Sequence, residues 1–301
     1  MNCPLCENNQ IEIVEKIKVE DIINLYERLM DRGYLAHLLN NDIDYCRCSF
    51  CDLRFFYPIV TGDEQFYNSL QKFEWYYQDK KEEFDIASRY IEKSDKVLEV
   101  GSGKGAFAKY LSSSNYTGLD FSAKAKQMAL ENGIVIENES INSHAEKNKE
   151  RYDAVVSFQV LEHVADPKGF IEAMILALRS GGKLIIAVPS DSSFLQYAVN
   201  STLNMPPHHV TRWSDESLKS IASMYDLNII DIHHEPLQEI HERWYLQTLV
   251  SCSLAKPKVV DFSLKRRVVS KLSDYAAKLL ERGFKPEMRP FGHTVVAVYE
   301  K

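Results

Sequence analysis

Between Lys96 and Val188 the chain repeats one rhythm, in which short apolar runs alternate with amphipathic stretches. Val97 to Val100, Tyr116 to Asp120, Ile134 to Ile136, Ala154 to Phe158 and Leu184 to Val188 read as strands, with helices over Ala106 to Leu111 and Ala123 to Glu131. Strands linked through helices run parallel, and their right-handed crossovers cover both faces of the sheet. The expectation is an α/β fold with a doubly wound, mostly parallel sheet. After Pro189 the rhythm breaks into a polar, proline-bearing loop as far as Trp213. A helix over Asp215 to Met224, a strand over Asn228 to Ile232, helical stretches at about 239 to 254 and 262 to 282, and a last strand over Thr294 to Tyr299 follow.

Upstream of that core, residues 1 to about 58 read as a separate unit. It has a Cys-x-x-Cys knuckle, an alternating Ile11 to Val14 segment, a helical stretch near Val19 to Leu39, and a second knuckle. Phe66 to Ile91 reads as helices leading into the core, and its aromatic run Phe73, Trp75, Tyr76 and Tyr77 is a candidate lid or a packed stripe. No apolar run approaches the roughly 20 residues of a membrane-spanning helix. The first six residues lack the basic start and apolar run of a secretory signal, so the cytoplasm is the expected compartment. Acidic residues outnumber basic ones by 43 to 36, which disfavours nucleic acid as a partner.

Chemistry enters at the end of the first core strand. Gly101, Gly103 and Gly105 remove side chains where the backbone must turn and let a ligand approach the next helix's N-terminus. Asp120 closes the second strand, where a carboxylate can accept hydrogen bonds from both ribose hydroxyls of an adenosine cofactor. The same turn also fits the dinucleotide fingerprint, with an acid about 20 residues on, so a nicotinamide-dependent oxidoreductase stands as a rival.

A longer set of segments separates the two. Glu99-x-Gly101-x-Gly103-x-Gly105, Gly118 to Ser122, Tyr152 to Ser157, Leu161-Glu162-His163-Val164 and Gly181-Gly182-Lys183-Leu184 occur in order. Together they resemble the class I methyltransferases, over roughly residues 75 to 235 and the last strand. The resemblance implies a seven-stranded Rossmann-like sheet and S-adenosylmethionine as cofactor. It puts Gly101 and Gly103 at the methionine part, with Glu99 ahead of them, Asp120 on the ribose and Phe121 beside the adenine. Gln159 falls near the methionine moiety, and Ser140 and Ile141 on the adenine side. Ordinary core packing is the plainer reading of Phe121 and Ile141.

Cys3, Cys6, Cys48 and Cys51 form the two knuckles, a pattern that in a reducing compartment points to structural zinc. The 41 residues between Cys6 and Cys48 require an inserted helix to bring the knuckles together, and Cys46 is an alternative to Cys48. Cys48 to Phe55 resembles the zinc-ribbon start of methyltransferases that modify sugars and other small metabolites.

For methyl transfer to a hydroxyl the protein must align the nucleophile and remove its proton. His208 and His209, in the loop Met205 to Trp213 after the fifth strand, are the leading base candidates. His163 resembles a position near the active site of quinone O-methyltransferases. His233, His234 and His241, with Glu235 or Glu239, are a further candidate for a second metal site, although Glu239 and His241 lie in an inserted helical region without a recognised ligand spacing.

The expected organisation is a zinc-binding unit over 1–60, a cofactor-binding domain over 61–235 and 291–301, and a helical insertion over 236–290 that forms substrate walls or a dimer contact. The expected function is O-methylation of a small hydroxylated acceptor such as a sugar, with a histidine base; a homodimer stays open. Besides the oxidoreductase, the rivals are an RNA-modifying zinc-containing methyltransferase and a non-catalytic zinc-ribbon interaction protein.

Overall fold

A computed structural model describes residues 1–70, 72–73, 80–111 and 115–301. Trp75, Tyr76 and Tyr77 of the candidate lid lie outside the described residues. The elements in chain order are β1 (Ile11–Ile17), α1 (Val19–Tyr26), α2 (Arg32–Leu38), β2 (Ile43–Cys48), β3 (Arg54–Tyr57), α3 (Glu64–Leu70) and α4 (Glu82–Ser88). Next come β4 (Val97–Val100), β5 (Tyr116–Leu119), α5 (Ala123–Glu131), β6 (Ile136–Glu137), α6 (Ile141–Lys147), β7 (Tyr152–Phe158), α7 (Pro167–Ala177) and β8 (Leu178–Pro189). The last are β9 (Thr211–Arg212), α8 (Asp215–Tyr225), β10 (Asn228–Pro236), α9 (Glu242–Leu254), α10 (Leu264–Leu280) and β11 (Phe291–Glu300).

The large sheet has seven strands in the order β10-β11-β8-β7-β4-β5-β6. Its β8-β7-β4-β5-β6 portion is parallel, and β11 runs antiparallel to both β8 and β10. The mostly parallel, doubly wound expectation is met. Every residue of β4 is buried, as a strand covered on both faces requires. From β4 the chain winds outward through β5 and β6, then returns to the other side of β4 to add β7 and β8. A crevice opens at the carboxyl ends of strands where the winding reverses.

Three local readings need correction. Gly133 adopts φ +75° and the Ile134 N–H closes onto Ala129 O at 3.0 Å, so Ile134 belongs to the turn that closes α5 and the strand begins only at Ile136. The stretch from Ala106 is a 3-10 helix ending at Tyr110. Val19 to Leu39 is two helices, because Asp31 caps a second start by accepting from Tyr34 N at 2.9 Å.

A smaller antiparallel sheet has the order β1-β2-β3-β9. Its last strand comes from the loop that carries the histidine pair. Further contacts tie the two parts: Arg54 pairs with Asp191, and Ser214 donates to Asp52. Cys3, Leu5, Cys48 and Leu53 pack in the same apolar cluster as Val155, Leu184 and Trp213 of the large sheet's surroundings.

Candidate functional site

A cavity of about 1270 Å³ opens at the carboxyl end of β4. Its wall has two halves of different construction.

One half is a backbone turn. Gly101, Gly103 and Gly105 all hold positive φ, and a Cβ on Gly101 would sit 2.3 Å from a Val160 methyl. Only glycine fits there without moving the neighbour. Gly103 N donates to one Asp120 oxygen at 2.8 Å, and Ser122 N donates to the other at 2.7 Å. The carboxylate is thus fixed by the turn and by its own strand end, and each oxygen keeps acceptor capacity. Burial raises the Asp120 pKa against the pull of those two bonds. Phe121, expected to be either core or adenine neighbour, is 69 % exposed and lines the cavity, so core packing does not explain it.

Glu99 is buried and accepts from the Tyr116 hydroxyl, and burial pushes its pKa up to about 8. Gln159 follows β7 at φ +56°, a conformation few side chains tolerate, and lines the cavity. Ile141 is buried against the wall. Ser140 also lines it, but its hydroxyl caps α6 by accepting from Ser143 N at 3.1 Å. A side chain used as a cap is less free to meet a ligand. The clamped acid, the glycine cradle that a Cβ would fill and the bare Phe121 ring suit an adenosine cofactor carrying a flexible tail.

The other half is a cluster of imidazoles. The ring centroids of His163, His208 and His209 lie 4.4 to 4.8 Å apart. His163 Nδ1 meets His208 O at 2.6 Å, His208 Nδ1 meets Leu203 O at 2.9 Å, and His209 Nδ1 meets Asn204 Oδ1 at 3.1 Å. Carbonyl oxygens only accept, so each Nδ1 donates and each Nε2 carries the lone pair. Burial lowers the His163 pKa to about 4 and holds His208 and His209 well below the ordinary imidazole value. All three rings are neutral acceptors near neutral pH.

Glu162 was not singled out from the sequence as a site residue. It is 1 % exposed, neither of its oxygens has a hydrogen-bond partner, and one oxygen lies 3.8 and 3.9 Å from the Nε2 atoms of His163 and His209. Burial pushes its pKa up to about 8, so it holds a proton at neutral pH. Its place between Leu161 and His163 in an apolar run was the available signal.

Supports for the loop were also missed. Arg212 donates to Asn204 O at 2.6 and 3.1 Å, and its guanidinium lies over the rings of Tyr45 and Phe56. Tyr26 donates to Met205 O at 2.8 Å. These three aromatic residues belong to α1, β2 and β3, so the N-terminal unit buttresses the histidine loop. The far wall includes His241 and Trp244 at the start of α9, with Glu235 and His293.

The cysteines converge as expected. Cys3 and Cys51 sulfurs are 3.5 Å apart, as are those of Cys6 and Cys48, and all four lie within 4.8 Å of one another. Tetrahedral zinc–sulfur bonds set S···S at roughly 3.8 Å. The donor set and its size therefore fit zinc. Cys46 is not part of this group; its sulfur faces Met1 Sδ at 3.6 Å. Nitrogens of His163, His208 and His209 also lie within 4.8 Å of one another, as do ligand atoms of Glu137, Glu139 and His144. Among the described residues His233, His234 and His241 form no such group. His234 instead bonds Asp215 at 3.0 Å and stacks on Phe291.

Comparison with known proteins adds a family match. The profile described as "Methyltransferase domain" matches residues 74–232. A ubiquinone biosynthesis O-methyltransferase of Klebsiella pneumoniae (strain 342) is 28% identical over 166 residues, and one of Salmonella newport (strain SL254) is 30% identical over the same length. Each alignment covers 47% of this chain and 66% of the relative. Among solved structures, a SAM-dependent methyltransferase from Archaeoglobus fulgidus superposes with a TM-score of 0.49 at 16% identity, covering 72% of this chain and 91% of that one.

Proposed function

Because this chain belongs to the methyltransferase-domain family, we propose that it transfers a methyl group from S-adenosylmethionine to an oxygen of a small hydroxylated acceptor, a sugar being one such compound. The observation that carries the reading is that a single cavity joins the Asp120 and glycine cradle to the His163, His208 and His209 cluster. When bound, the cofactor supplies a methyl group already activated by its sulfonium. What this chain's residues add is position and proton transfer.

In this reading Asp120 holds the ribose, Gly101 and Gly103 give the methionine tail room, Phe121 and Ile141 flank the adenine, and Gln159 and Glu99 border the tail. Ser140 contributes its backbone more than its hydroxyl. His209 accepts the acceptor's proton at Nε2, since its Nδ1–H is committed to Asn204. His208 stacks on the His209 ring and His163 meets it edge-on. Glu162, kept neutral by burial, adds no charge beside the Nε2 atoms of His163 and His209.

We assign zinc to Cys3, Cys6, Cys48 and Cys51 as a structural ion, and the regions 1–60, 61–235 with 291–301, and 236–290 to ribbon, cofactor domain and insertion. Cysteines that hold zinc must be kept as thiolates, which suits a reducing compartment, hence the cytoplasm. The test is calorimetry with S-adenosylmethionine and NAD, followed by a screen of sugars and phenols with labelled donor. Uptake of S-adenosylmethionine and label on a hydroxyl support the reading. Binding of NAD alone, or label confined to nitrogen or carbon, overturns it.

A further inference from the structure

We propose that α10 docks the protein on an anionic membrane surface, lying flat in the lipid headgroups. Besides the face it buries, the helix presents an apolar face to solvent. Arg266, Val269, Ser273 and Ala277 are buried, and α10 packs chiefly on α9. Leu264, Val268, Leu272, Tyr275 and Leu279 are all more than half exposed, with Leu264 at 77 % and Tyr275 at 65 %. Their spacing of four, four, three and four residues gathers them within an arc of roughly 80° at 100° per residue.

Charge decides what covers this face. Residues 256–278 hold seven basic and two acidic side chains, a net +5, while the rest of the chain carries −12. Both acids are already used: Asp261 pairs with Arg266 at 3.4 Å, and Asp274 pairs with Arg243 at 2.5 Å and Lys278 at 3.2 Å. Lys265, Arg267 and Lys271 are exposed beside the apolar arc and form no ion pair among the described residues. A second copy of the chain set face to face would bring these cations toward each other, which is unfavourable. An anionic lipid surface complements both features, taking the apolar arc at the acyl boundary and the cations at the phosphates. An amphipathic tyrosine suits the same depth. The contact proposed is peripheral, with the helix lying in the surface; among the described residues no helix is long and apolar enough to cross a membrane. It also sets the α9 wall of the cavity, with Trp244, close to the lipid.

Flotation of the full-length protein with phosphatidylcholine vesicles, with and without phosphatidylglycerol, tests the proposal. Binding to the anionic vesicles is expected, weakening with added salt, and little to the neutral ones. Replacing Lys265, Arg267 and Lys271 together with Gln should lower partitioning on the order of 100-fold, each cation contributing about fivefold. Leu272→Asp should abolish it, while S-adenosylmethionine binding in both variants reports that the fold is intact. Absence of binding to anionic vesicles overturns the proposal, as does equal binding by the charge variant. So does a stable dimer that Leu272→Asp splits into monomers, which would give this face to a second copy.

Discussion

The two halves of the cavity are built in opposite ways. The cofactor half is local: Glu99 to Ser122 spans two adjacent strands, and the groups that fix Asp120 are backbone N–H groups of the same stretch. Backbone donors survive most side-chain changes. The histidine half is assembled from distant pieces: His163 lies after β7, the histidine pair lies in the loop before β9, and the rings that brace the loop come from the N-terminal unit. A site of the first kind tolerates remote damage, and one of the second kind does not. If the division is real, each half should fail separately.

The largest effect is expected at the proposed base. His209→Ala should reduce turnover by roughly 100- to 10,000-fold, the usual span for losing a general base, with cofactor affinity unchanged. His208→Ala is the control and should cost less, because in this reading its ring only stacks on His209. Turnover and cofactor affinity falling together in His209→Ala would show that the halves are not separable. Asp120→Ala is the mirror image. Loss of charge-assisted bonds to the ribose should weaken cofactor binding by about 10- to 100-fold in calorimetry. Turnover at saturating cofactor should change far less.

A remote perturbation sharpens the comparison further. Metal analysis should find about one zinc per chain, and removing it by chelation or by Cys51→Ser should loosen the unit that carries Tyr26, Tyr45 and Phe56. Turnover is expected to fall roughly tenfold, as for loss of a supporting shell, while cofactor affinity holds. Cofactor affinity lost to the same extent would mean that the N-terminal unit supports the whole fold rather than one wall.

This asymmetry also explains what the sequence could reveal. Gly101, Gly103 and Asp120 were legible because their function follows from spacing along adjacent strands. The four cysteines were legible for a similar reason, since each knuckle is a local turn, although the choice of Cys48 over Cys46 needed the structure. The strand and helix order of the core followed from periodicity, with errors at Ile134 and in the Val19 to Leu39 stretch, where a turn outweighed the pattern. Arg212 and Tyr26 were not legible, because their partners are fixed only by the packing of two sheets. Tyr26 and Met205 are 179 positions apart, a separation across which no periodicity carries information. Glu162 fell between: its apolar neighbours implied burial, but not that both oxygens would lack a partner.

The smallest expected effect is in pH dependence, where the histidine half should leave its own signature. His163, His208 and His209 have folded pKa values below the ordinary 6.5, so the unfolded chain binds protons that the folded chain refuses. Their contribution to stability is present above 6.5 and is lost as pH falls toward about 4, the folded value for His163. Glu162 has the opposite sign. Its folded pKa, about 8 against an ordinary 4.5, makes its contribution full below 4.5 and lost as pH rises through 8. Thermal melts should therefore fall off on both sides of a near-neutral maximum. Glu162→Gln keeps the shape and removes the titration, so it should raise the melting temperature above about pH 8 by a few degrees relative to the parent and leave the acid side unchanged. His208→Asn should do the reverse and flatten the acid limb alone. Glu99 shares the alkaline limb from the cofactor half, so Glu99→Gln supplies the comparison. Added cofactor should alter the melt of Glu162→Gln and its parent equally, since Glu162 belongs to the histidine half. A melting curve for Glu162→Gln that tracks the parent from neutral pH to about pH 9 would show that this carboxyl is already ionised in the folded protein, and the uncharged Glu162 placed beside the imidazoles would fall.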